Sequence, residues 1–268
     1  MSSIGIFDSG LGGLAILKEI LAVLPQYNYL YLGDNARVPY GGRSPELIYQ
    51  YTRDAVHYLF EQDCELIILA CNSATVASLR KIQQQLLPKK YPNKRVLGVV
   101  IPSIETAIER GEKRIGIIAT QTTVNSNVFP VELTKQKENI HVFQQSCPLL
   151  VPIIEAGETS WEGLDLILNK YLFNLKQQSI ESLILGCTHY GLIQSQIKSH
   201  LGPNVHIINQ GEATANKLKD YLDRHPEIEA KIKKNSKRQY HVTDHTQQYQ
   251  AMASTFMGKS IYLTKVDL

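Results

Sequence analysis

The sequence predicts an α/β fold of two similar lobes, each a mostly parallel sheet flanked by helices, with an active site in the cleft between them. Three observations support this. Short apolar runs such as Leu66-Ile67-Ile68-Leu69 and Leu183-Ile184-Leu185 read as strands covered on both faces, as parallel sheets require. Segments of helical spacing alternate with such runs along the chain. Two of the runs end alike, in Ala70-Cys71-Asn72-Ser73-Ala74-Thr75 and Gly186-Cys187-Thr188-His189-Tyr190. Cys71 and Cys187 therefore fall at carboxyl ends of strands, where open α/β sheets place their ligands.

In chain order, Ile4-Gly5-Ile6-Phe7 forms a first strand, and Asp8-Ser9-Gly10-Leu11-Gly12-Gly13 turns into a helix over 14–23 that Pro25 stops. Glycines before a helix let backbone N–H groups approach an anion, although the spacing is not the dinucleotide fingerprint. Residues 29–32 form a second strand. The loop over 33–42, with Pro39 and three glycines, reads equally as a surface loop or a binding loop. Ser44 caps a helix that has Pro45 at its first position and runs to about Gln62. After Cys71 a helix over 74–87 is expected to end at Pro88. Residues 96–101 read as a strand, and Pro102 as the start of a short helix ending near Gly111.

A strand over 114–119 leads through the polar turn Thr120-Gln121-Thr122-Thr123 into another helix. The strand over 141–145 runs into Cys147-Pro148-Leu149-Leu150-Val151-Pro152-Ile153-Ile154-Glu155, which puts an acid at the end of an apolar stretch. Residues 160–177 are helical. Beyond Cys187, a helix over 192–201 closes at Gly202-Pro203, followed by a strand over 205–208 and a helix over 212–222. A charged helix starts at Pro226, and late strands over 240–243 and 261–264 flank a helix over 247–257. No linker or low-complexity tract divides the chain.

Composition excludes several classes. Hydrophobic residues at 43% and charged residues at 20% describe a globular protein. Lys and Arg number 28 against 25 acids, too even a balance to argue for nucleic acid, and the basic run over 231–238 reads as a solvated helix face or loop. No stretch approaches the roughly 20 apolar residues of a membrane helix, and Met1-Ser2-Ser3-Ile4 carries no basic leader. A cytoplasmic protein is expected. The four cysteines show no C-x-x-C pair, so no metal site is signalled. Cys64, at a strand entry, reads as a small buried hydrophobe.

Cys71 and Cys187 invite a different reading. Inverting a carbon that bears hydrogen means removing a proton from one face and returning one to the other. Two groups, one per face, do this in place, one as thiolate and one as thiol. A thiol titrates near pH ~8.5 and is tuned by donors and helix N-termini. Asn72, Ser73 and Thr188 could hold a carboxylate, and His189 could balance the proton of Cys187. No motif demands a cofactor.

With these residues the chain resembles the cofactor-independent glutamate racemases nearly end to end. The resemblance rests on residues 5–13, Asp34 through Pro39-Tyr40-Gly41, residues 70–75 and residues 185–190. It implies one lobe from residues 1–97 plus 207–268 and another from 98–206. It further implies interconversion of L- and D-glutamate without a cofactor, supplying D-glutamate for peptidoglycan, in a homodimer or a monomer–dimer equilibrium. Catalysis would fall to Cys71 on the D-enantiomer and Cys187 on the L-enantiomer, with Asp8 assisting Cys71, His189 assisting Cys187 and Glu155 on the Cys187 side. Ser9, Pro39, Tyr40 and Gly41 would meet the side-chain carboxylate, beside Asp8. Asn72, Ser73 and Thr188 would hold the amino-acid head, with Thr123 nearby. His189 and Pro39-Tyr40-Gly41 favour glutamate over aspartate.

Ser73, Gly191, Asn35 and Ala119 depart from the residues common in that family, Thr, Pro, Thr and Gly. Two other classes compete. A cysteine hydrolase using Cys71 alone would need a His base, and no motif near Cys71 supplies one. A binding protein on a racemase-like scaffold would not need either cysteine.

Overall fold

The computed structural model describes residues 2–268. The chain runs β1 (Ser3–Asp8), α1 (Gly13–Val23), β2 (Tyr29–Gly33), α2 (Pro45–Glu61), β3 (Cys64–Leu69), α3 (Asn72–Lys81), α4 (Leu87–Lys90) and β4 (Arg95–Gly98). It continues through α5 (Val100–Glu109), β5 (Arg114–Ala119), α6 (Gln121–Asn125), α7 (Val128–Gln136), β6 (His141–Ser146), α8 (Leu150–Glu155), α9 (Glu162–Gln177) and β7 (Ser182–Gly186). A 3₁₀ segment, Thr188–Ile193, leads to α10 (Gln194–Leu201) and β8 (His206–Ile208). Last come α11 (Gln210–Arg224), α12 (Pro226–Glu229), β9 (Arg238–Val242), α13 (Gln247–Met257) and β10 (Thr264–Lys265).

The strands form two parallel sheets, one ordered β10-β9-β2-β1-β3-β4 and the other β6-β5-β7-β8. The runs β2-β1-β3-β4 and β6-β5-β7-β8 have the same order, so the two sheets repeat one plan. In each, the chain leaves its central strand to one side and returns on the other. Both cysteines follow the strand just past that reversal, β3 and β7, at the position where such sheets bind ligands. β1 and β7 are buried along their whole length, which accounts for the apolar runs over residues 4–7 and 183–185 within them. The apolar cluster around Ile4, Ile6 and Leu66 is continuous with Leu183, Leu185 and Ile197. One core thus joins the sheets, with α1 packed on α11 across it.

Four sequence expectations need correction. Pro88 does not end the helix after Cys71. A wide π-type turn over Ile82–Leu86 joins α3 to α4, and Pro88 lies in the first turn of α4, where a missing N–H is tolerated. Residues 99–101 leave the strand, which stops at Gly98, because Val100, Ile104 and Ala107 bury one face of α5. The charged helix from Pro226 is a single turn; beyond it, the Lys233 carbonyl accepts from the Asn28 N–H at 2.9 Å, drawing the chain toward β2. Residues 261–263 form no strand, because the Gln250 side chain takes their backbone groups, accepting from the Leu263 N–H at 2.9 Å and donating to the Ile261 carbonyl.

Candidate active site

Cys71 is the residue that caps α3. It has extended backbone, and its Sγ accepts from the Ala74 N–H at 3.4 Å, while the Ser9 hydroxyl lies 3.4 Å from the same sulfur. Burial, followed by the charge of Asp8, pushes the Cys71 thiol up to about 12 against the pull of Ser9 and Ala74. The side chain that touches this sulfur is thus Ser9, whereas Asp8 acts on it through space. Asp8 is fully buried and accepts from the Gly10 N–H at 2.9 Å and from the Thr188 hydroxyl at 3.3 Å. Burial raises its carboxyl above the ordinary range, offset by His189 and the Gly10 and Gly13 amides. The Gly10 and Gly13 amides of the glycine-rich loop are thus directed at the Asp8 carboxyl.

Cys187 follows β7 directly and lies 3.8 Å from Nδ1 of His189, whose Nε2 meets Glu155 Oε1 at 2.8 Å. Burial opposes a charge on this imidazole, yet Cys187 and Glu155 outweigh it and hold His189 well above its usual range. A cationic imidazole beside the sulfur stabilises negative charge that develops there. The 3₁₀ turn after β7 lets Thr188 reach Asp8 and His189 reach Glu155. Nothing stands within 4 Å of a Cβ built on Gly191 in the same turn.

Both thiols open onto one cavity of about 160 Å³. Its wall takes Ser9, Pro39, Tyr40, Gly41, Asn72 and Ser73 from the first sheet's strand ends, and Thr188 and His189 from the second's. Asp8, Glu155 and Thr123 stand behind that wall. Thr123 meets it through Thr120, whose hydroxyl bonds Thr123 Oγ1 at 3.1 Å and Ser73 Oγ at 2.9 Å. The Tyr40 hydroxyl donates to the buried Asp34, which also takes Arg37 Nε at 2.7 Å and the Thr243 hydroxyl at 2.9 Å. While that bond stands, Tyr40 offers a ligand its ring and backbone only.

Sequence reasoning missed Thr120, Cys147, Pro148, Val151 and Pro152, all in the cavity wall. Thr120 carried a usable signal, since it is the first residue after β5 and caps α6 by accepting from the Thr123 N–H. The proline-bracketed stretch after β6 carried another, since it too follows a strand's carboxyl end.

Two glycines fix how closely the halves approach. A Cβ on Gly12 would stand 2.7 Å from His189 Nδ1 and collide with the Thr188 hydroxyl, and one on Gly41 would stand 2.6 Å from Thr120 Cβ. Any side chain there would hold the two walls apart.

Comparison with known proteins places this geometry. Residues 11–218 match the family model described as Asp/Glu/Hydantoin racemase. The glutamate racemase of Ruegeria pomeroyi is 41% identical over 244 residues, covering 84% of this chain and 87% of the relative. That of Persephonella marina is 36% identical over 269 residues, covering 99% and 97%. Among solved structures, the glutamate racemase isoform RacE1 from Bacillus anthracis superposes with a TM-score of 0.91 at 32% identity, covering 100% of this chain and 98% of its own. The Francisella tularensis glutamate racemase, solved with D-glutamate, gives 0.88 at 29% identity, covering 99% and 97%. By a match over most of its length and by its fold, the chain belongs to the Asp/Glu/Hydantoin racemase family.

Proposed function

We propose that this protein is a cytoplasmic glutamate racemase that interconverts L- and D-glutamate and supplies D-glutamate for peptidoglycan. The observation that carries the reading is that Cys71 and Cys187, from two separate sheets, open onto one cavity. The names of the relatives, and the D-glutamate bound in one of them, favour glutamate as substrate. We take the lobes to be residues 1–98 with 209–268, and residues 99–208, so that β4 and β8 each stay whole.

In the L-to-D direction the Cys187 thiolate takes the Cα proton. The electron pair left on carbon delocalises into the α-carboxylate, and the Cys71 thiol gives its proton to the opposite face. The surroundings suit this direction, since burial pushes the Cys71 thiol up to about 12 and the His189 cation stabilises negative charge as it develops on Cys187. The reverse direction exchanges the roles. Asn72, Ser73, Thr120 and Thr188 hold the head group, while Ser9 and the backbone around Gly41 face the distal carboxylate. His189 and Glu155 stabilise charge at Cys187, and Asp8 and Thr188 tie that side to the Cys71 side.

A Cys hydrolase reading fits less well, because the histidine of the cavity wall, His189, bonds Cys187 and not Cys71. The test is replacement of each thiol by a hydroxyl, a far weaker acid. Cys71→Ser and Cys187→Ser should each lower racemisation by about 10²–10⁴-fold, the worth of one general acid–base group. In kcat/KM both directions should fall by the same factor, since two enantiomers have an equilibrium constant of one. Near-normal turnover in either variant would sink the two-thiol assignment.

A further inference from the structure

Asn72 lines the cavity beside Cys71, and an amide side chain helps a substrate only if its N–H and C=O ends face the right way. The two ends have the same shape, so something must set their sense. Behind Asn72 lies Gln210, the first residue of α11 and 4% exposed. The two amides pair reciprocally: Asn72 Nδ2 donates to Gln210 Oε1 at 2.7 Å, and Gln210 Nε2 donates to Asn72 Oδ1 at 3.1 Å. A reciprocal pair is equally good with both amides reversed, so by itself it fixes nothing.

Ser103 of α5 breaks that symmetry. Its hydroxyl donates to the Val99 carbonyl at 3.1 Å, and a hydroxyl has one proton to give. It can therefore only accept from Gln210, whose Nε2 lies 3.1 Å away. That places the Gln210 NH₂ on the Ser103 side, and the pairing then dictates the sense of Asn72. We propose that Gln210 is a positioning residue for the racemase, the middle member of a relay from the Val99 carbonyl through Ser103 to Asn72. The relay leaves Asn72 one N–H and one oxygen lone pair for the cavity. These match the carboxylate and the ammonium of an amino acid's head group. The three residues come from α3, α5 and α11, so the relay also ties the Cys71 helix to helices beside the second sheet.

The proposal rests on the racemase reading above, and the experiment separates the two. Initial rates on L- and D-glutamate would be measured for the wild type, Gln210→Leu, Ser103→Ala and the double variant, with melting temperatures alongside. Gln210→Leu frees the Asn72 amide and should raise KM about tenfold, the net worth of one well-made hydrogen bond. Part of the loss should appear in kcat as well, because the α-carboxylate that Asn72 meets takes up the electron pair in the transition state. Ser103→Ala keeps the pair but removes its sense, leaving about half the molecules competent and KM about doubled. The double variant should match Gln210→Leu alone, because without the pair Ser103 has nothing to direct.

A fall in melting temperature with unchanged KM would reduce Gln210 to packing and overturn the proposal. So would multiplication of the two single effects. Should Gln210→Leu fail to fold, Ser103→Ala decides alone, with a doubled KM in support and an unchanged KM against. A folded wild type that does not racemise glutamate would overturn the racemase reading, and the relay's role with it.

Discussion

Tyr40 separates what a residue type suggests from what its surroundings allow. A tyrosine in a long loop beside a glycine suggests a hydroxyl for an anionic ligand, yet here that hydroxyl serves Asp34, a fully buried carboxylate. Removing one partner of a buried acceptor costs about 1–3 kcal/mol. Tyr40→Phe should therefore lower stability by that amount in denaturant unfolding while KM for glutamate changes little. A large rise in KM at unchanged stability would show that the hydroxyl leaves Asp34 to bind substrate. His189 supplies a second test at this scale. Its folded value is raised above 6.5, so the native state favours the proton more than the unfolded chain does. The stability it contributes is full below pH 6.5 and is lost as pH rises through the raised value. Breaking a buried pair costs about 3–5 kcal/mol, and less here, since Glu155 is 18% exposed. The stability gap between wild type and His189→Asn should be widest in mild acid and narrow with rising pH. A gap that widens with pH would contradict the assigned charge.

At the scale of elements, strands were more legible than their connections. Apolar runs such as those around Ile67 and Ile184 mark buried strands, because a sheet covered on both faces tolerates little polarity along its strands. Helix ends were less legible, since the outcome turns on partners remote in sequence. The π-type turn before Pro88 and the capture of residues 261–263 by Gln250 left no local trace. In the glycine-rich loop after β1, the Gly10 and Gly13 amides serve Asp8, a partner that composition alone did not mark. The loop's other service is clearance. Gly12→Ala should push the turn carrying Thr188 and His189 outward, and a displacement of about 1 Å costs on the order of 10²-fold in rate. Fold content by circular dichroism should be retained while kcat/KM falls. Activity close to wild type would mean that the turn has slack and that the clearance at Gly12 is unimportant.

Across the whole molecule, the repeated order β2-β1-β3-β4 and β6-β5-β7-β8 explains why two residues 116 positions apart, 187 − 71, share a cavity. The sequence carried the cysteines and their strand ends, because a reactive side chain at the end of an apolar run is a local pattern. It did not carry Gln210 or the wall around Cys147, because which loops converge depends on how the sheets pack. The central claim is that two sulfur atoms stand on opposite faces of one carbon, each with its own proton. Racemisation in deuterium oxide, followed at early times by mass and NMR analysis of both enantiomers, tests it most directly. Two bases predict product carrying solvent deuterium at Cα from either starting enantiomer, while unreacted substrate keeps its protium. Product that retains much of the substrate's own hydrogen would mean a single group carrying the proton from face to face, and would contradict the account.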